Sequence, residues 1–151
     1  MRCMPLLVLV LMTLVGCSSE TRTFRGDVSF TAEERAEIER AIAWLVEQEN
    51  VGGEPFAIVW DLPHESAPAD FTIVCGDRDS YAVTGFTADT GRVELSPARD
   101  RARLPILAIL AAHEFAHMRG IGHHTGTGVM NSHISTELVW TESDREAAAA
   151  R

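Results

Sequence analysis

Lysine is absent from this chain of 151 residues. All thirteen basic residues are arginine, against twenty-two acidic ones, for a formal net charge of −9. We read the missing lysines as codon bias, without functional content. The shortage of positive charge does exclude a nucleic acid as the main partner, because phosphates need a basic face. Cysteine is scarce too, at three residues. Cys3 and Cys17 belong to an amino-terminal apolar segment, which leaves Cys75 alone in the folded part. No intrachain disulfide framework can form, so any stapling falls to a metal. The amino-terminal segment is too short to span a bilayer: Leu6 to Val15, broken only by Thr13, covers about 15 Å as a helix, half of a hydrocarbon core. The composition, 46% hydrophobic and 23% charged, is that of one globular domain large enough to bury a core.

The apolar segment follows Arg2 and has the length of a signal h-region. It ends in Leu14-Val15-Gly16-Cys17, which resembles the bacterial lipobox. That resemblance implies that Cys17 becomes the mature amino terminus and carries acyl chains; the alternative is cleavage at an ordinary small-residue site, with Cys17 incidental. The expected organisation is a signal peptide over 1–16, a lipidated amino terminus and polar tether over 17–27, and one domain over 28–151. The expected location is the bacterial cell envelope, lipid-anchored, on the outer membrane or the outer face of the inner membrane.

Thr31 with Glu34 three residues on forms a capping box. Ile38, Ile42, Leu45 and Val46 then make an apolar helical face that stops near Asn50, before Gly52-Gly53. Trp44 reads as core packing. Strands are expected at Phe56–Trp60 and Phe71–Cys75, and Tyr81–Phe86 and Arg92–Leu95 read as a hairpin or two neighbouring strands. Pro105 opens a second helix, apolar nearly all round and therefore buried, which Gly120 ends. After a glycine-rich loop, Thr141 or Ser143 caps a last helix through the alanine tail.

The chemistry gathers at the end of the second helix. His113 and His117, four apart, lie on one face about one turn apart, so both imidazoles can reach one ion. Glu114 follows the first of them and points beside the ion, where it can take a proton from a zinc-activated water as general base. Gly120 can turn the chain away from the helix axis and bring His123 back as a third ligand. Three protein ligands leave a position open for water, the mark of a catalytic site.

His113-Glu114-Phe115-Ala116-His117-Met118-Arg119-Gly120-Ile121-Gly122-His123 resembles the HExxHxxGxxH signature of the metzincins at every fixed position. Met130, seven residues further on in Val129-Met130-Asn131, is similar to the Met-turn of that clan, with a short spacing that resembles matrixins. The resemblance implies an α+β fold: a single zincin domain with a small mixed sheet, a buried active-site helix, a Met-turn and a carboxy-terminal helix. It implies one catalytic Zn2+ on His113, His117 and His123, with Gly120 and Met130 in support. It also implies that Tyr81–Phe86 is an edge strand receiving an extended peptide. His124 competes with His123 as the third ligand, and the glycine spacing favours His123. Asp77, Asp79 and Asp89 can be drawn as calcium ligands, but calcium is not supported and exposed loop carboxylates are the simpler reading. No inhibitory cysteine-bearing pro-segment fits. Cys75 reads as a buried thiol, and His64 and His133 as surface or turn residues.

The function these readings imply is a monomeric zinc metalloendopeptidase of the envelope acting on peptides or proteins. The alternative is a non-catalytic zinc-binding lipoprotein serving as a binding or structural module.

Overall fold

In the computed structural model the described residues are 22–48, 56–62, 72–76, 84–87, 91–97, 104–133 and 137–151. The first element is a strand, β1 (Arg22–Asp27). This corrects the expected boundary at residue 28, because the stretch read as tether supplies a strand flanked on both sides. Phe24 is its only large apolar residue, fully buried between exposed Thr23 and Arg25. One apolar residue in six gives no visible alternation, so the strand is hidden from periodicity. The lipobox and signal readings over 1–16, and Cys17 itself, lie outside the described residues. So do His64, Asp77, Asp79, Asp89 and Tyr81.

Helix α1 (Ala32–Glu47) begins with the predicted capping box. Thr31 Oγ1 accepts from the Glu34 amide and the Glu34 carboxylate accepts from the Thr31 amide. Ile38, Ala41, Ile42 and Leu45 are buried on one side of it. Strands β2 (Phe56–Leu62), β3 (Thr72–Cys75), β4 (Thr84–Thr87) and β5 (Arg92–Ser96) complete a five-stranded sheet in the order β2-β1-β3-β5-β4. β2, β1, β3 and β5 run parallel, and β4 pairs antiparallel to β5 at one edge. The two neighbouring strands foreseen from the sequence are therefore a true antiparallel pair, set beside parallel strands whose direction the sequence leaves open. β1, α1 and β2 form a parallel crossover, which needs a helix to carry the chain back across the sheet.

Helix α2 (Leu104–Met118) is buried continuously from Leu107 to Ala116. It packs against α1 and lies over β4 and β5. From the sheet, Phe24, Ile73, Val93 and Leu95 meet it in the core, and Phe24 touches Phe115 edge to face at 5.1 Å between centroids. Each large aliphatic or aromatic side chain fully buried here contributes roughly 1.5–3 kcal/mol. This apolar collar fixes the last two turns of α2, which carry His113, Glu114 and His117. Helix α3 (Glu142–Ala149) closes the chain, and its cap is Thr141 rather than Ser143. Trp44 is partly buried against the core and meets Trp140 edge to face. No helix among the described residues is long and apolar enough to cross a membrane.

Candidate metal centre

Helix α2 ends in a Schellman motif. The Gly120 amide donates to the His117 carbonyl at 2.8 Å and the Ile121 amide to the Ala116 carbonyl at 3.2 Å, the two bonds that define this stop. Gly120 sits at φ +78°, a conformation that side chains disfavour. Buried Ile121 anchors the turn, and its carbonyl faces back to His117 Nδ1 at 2.8 Å. The glycine thus does two things: it turns the chain towards His123, and it hands a backbone acceptor to the second histidine.

The three imidazoles converge. His113 Nε2 lies 3.0 Å from His123 Nε2 and 3.1 Å from His117 Nε2, and the third edge is 3.1 Å. His113 is buried, His117 half-buried and His123 exposed, and together they can hold a metal ion. The protonation pattern supports that fit. His113 Nδ1 is 2.7 Å from the Val129 carbonyl and His117 Nδ1 is bonded to the Ile121 carbonyl. A carbonyl only accepts, so both Nδ1 atoms carry a proton, and in the neutral tautomer this leaves each Nε2 with a lone pair directed at the other. Two lone pairs at 3.1 Å repel unless a cation lies between them. Tetrahedral ligands at metal–nitrogen bonds of about 2.0–2.1 Å stand about 3.3–3.4 Å apart, so the observed triangle is within a few tenths of an ångström of a ligand set. Orientation of each ring by its second nitrogen is the usual support of a metal-ligating histidine.

Electrostatics favours the neutral form at His113 and His123. Burial pushes the His113 imidazole below its ordinary pKa and the neighbouring imidazoles add to this, while the Val129 bond and the Glu114 charge oppose it. His123 is also lowered, by desolvation where its ring meets the cluster and by His117, against the pull of Glu114. Glu114 is buried, at 6% exposure. It lies near enough for its charge to act on both His113 and His123, yet it stands outside the ligand set.

His124, the competing ligand, is directed elsewhere. Its Nε2 donates to Asp144 Oδ1 at 2.8 Å, and its Nδ1 accepts from the Gly126 amide at 3.0 Å. Both nitrogens are committed, and of the two adjacent histidines it is His123 that joins the cluster able to hold a metal ion. Met130 is fully buried; its amide donates to Asp144 Oδ1 at 2.8 Å and its carbonyl accepts from the His124 amide. The turn around it therefore supplies Val129 to the first ligand. His133 is exposed, with its ring near Ser132 and its amide donating to Asn131 Oδ1. Cys75 is a buried thiol in β3.

Asp144 was not singled out by the sequence. It has no exposed surface and accepts from the Met130 amide, His124, the Thr141 amide at 2.7 Å and Thr141 Oγ1 at 2.9 Å. Burial raises its pKa, but the bonds from Thr141, His124 and Met130 outweigh that and hold the carboxyl below its ordinary value. The signal for it was present: Thr141-x-x-Asp144 has capping-box spacing, with Asp in place of the usual Glu or Gln. No protein-family model and no curated protein matches this chain.

Proposed function

We propose that this chain is a zinc metalloendopeptidase of the metzincin kind, matrixin-like, anchored to the bacterial envelope through Cys17. One observation carries the reading: three histidine Nε2 atoms converge within 3.0–3.1 Å, two of them on rings whose Nδ1 atoms are turned to backbone carbonyls. Imidazole triads with an open fourth side suit zinc. Zinc held there supplies Lewis acidity, lowering the pKa of water to about 7 and polarising a carbonyl.

The chain's own residues do the rest. His113, His117 and His123 bind through Nε2, and the Val129 and Ile121 carbonyls keep their rings oriented. Glu114, one residue from the first ligand and outside the ligand set, accepts the proton of the attacking water. It then returns that proton to the departing amine, so its carboxylate is restored after each cleavage. The half-exposed side of the triad, at His117 and His123, is where a substrate carbonyl can approach. β4, the edge strand among the described residues and packed against α2, is where an extended peptide would add to the sheet.

The test is Glu114→Gln in the full-length chain, assayed on a broad peptide library with bound zinc measured in parallel. Wild type should cleave and the variant should not, with one zinc per chain in both. Wild type and variant behaving alike on the library would sink the peptidase reading and leave a zinc-binding module.

A further inference from the structure

Exposed His123 is the ligand least supported by packing, while the residue beside it is among the most constrained in the loop. His124 pairs with Asn131 in an isolated bridge, its amide donates to the Met130 carbonyl at 3.1 Å, and its carbonyl accepts from the Ser132 amide at 3.3 Å. Its side chain reaches Asp144 Oδ1, the same oxygen that takes the Met130 amide. One buried carboxylate oxygen therefore joins the two ends of the loop between the third histidine and the Met130 turn. The other oxygen is tied to Thr141, at the start of α3. The loop is also shaped around this carboxylate: at Gly128, φ +118°, a Cβ would sit 1.9 Å from Asp144 Oδ2.

We propose that His124 and Asp144 are positioning residues for the metal centre, with His124 acting on His123 from the adjacent position and Asp144 acting on His113 through Met130 and Val129. The inference rests on His113, His117 and His123 being the ligand set, and it concerns metal affinity rather than turnover. Without the His124–Asp144 bond, the backbone bonds of His124 are left to place His123, and more of its ordering must be done by the ion. Loss of such an outer support weakens metal binding about 10–100-fold.

Zinc affinity of the full-length chain, measured by competition with a chelator, tests this. His124→Ala should bind zinc about 10–100-fold more weakly than wild type. His124→Gln, whose side-chain amide can donate where Nε2–H does, should recover to within a few-fold. His124→Asn, which is too short to reach Asp144, serves if the alanine variant does not fold and should behave like it. The visible spectrum of the cobalt-loaded protein should change in the alanine or asparagine variant and return towards wild type in the glutamine variant. A merely structural role would lower the melting temperature of the metal-free protein and leave affinity and spectrum unchanged; that result overturns the proposal. If wild type itself takes up neither zinc nor cobalt, the ligand-set reading fails, and the positioning proposal with it.

Discussion

Three glycines at the end of α2 and in the loop after it separate backbone strain from steric overlap, and they lead to a graded prediction. Gly122 has no positive φ and nothing within 4 Å of where a Cβ would be; Gly120 has φ +78° and the same open space. Gly128 combines φ +118° with a Cβ position 1.9 Å from Asp144 Oδ2, 2.5 Å from Thr141 Oγ1 and 2.7 Å from Asp144 Cγ. Gly122→Ala should therefore be neutral, or stabilising by a few tenths of a kcal/mol through the unfolded chain. Gly120→Ala carries strain alone, about 1–2 kcal/mol. Gly128→Ala carries strain of about 1–3 kcal/mol and an overlap costing about 1–3 kcal/mol. The overlap cannot relax cheaply, because the atoms in the way are bonded to each other and to Met130. A total of about 2–6 kcal/mol is a large part of the 5–15 kcal/mol typical of a domain. At about 4 °C per kcal/mol for this size, Gly128→Ala should melt roughly 8–24 °C below wild type. Circular dichroism melts in the presence of chelator are the assay, since bound metal would add its own stabilisation. Equal melting of the Gly122→Ala and Gly128→Ala proteins would refute the reasoning, because it would mean that the loop is not built around Asp144.

Acid should destabilise the metal-free protein in two stages. The folded state lowers the His113 and His123 pKa values below 6.5, so the unfolded chain takes up their protons first. That stability is whole above about pH 6.5 and is lost as pH falls towards the folded values. Asp144, held below 3.8, contributes stability that is present above about pH 3.8 and lost as pH falls through its folded value. Urea midpoints measured from pH 8 to pH 3 check both stages; a midpoint that rises between pH 7 and pH 5 contradicts the first. Phe115→Ala removes a fully buried ring and its edge contact with Phe24. It should cost about 3–5 kcal/mol in denaturant unfolding, and a loss under 1 kcal/mol would show that α2 is not anchored there.

Local order was legible wherever a signal is local. The Thr31 capping box, the apolar face of α1, the all-round apolar α2 and its stop at Gly120 follow from spacing over a few residues, and each forms as expected. The convergence of His113 and His117 was legible for the same reason, since helical periodicity alone sets them side by side. β1 was not legible, because a strand flanked on both sides needs little amphipathic pattern and Phe24 supplies only one point of it. Strand direction was not legible either, since parallel and antiparallel pairing draw on the same residues.

By itself the sequence determined which residues can meet a metal: two histidines one turn apart, a glycine to turn the chain and a third histidine within reach. The glycine spacing favoured His123 over His124, but only the tertiary structure shows where His124 goes instead: to a carboxylate twenty residues away. Asp144 claims His124 because a buried carboxylate must collect donors or lose its charge, and it finds them in His124, Met130 and Thr141. The same folding places the Val129 and Ile121 carbonyls on the Nδ1 atoms and so fixes which nitrogens face the centre. Tautomers and long-range hydrogen bonds have no period along a chain; they exist once the backbone has brought distant donors and acceptors within 3 Å.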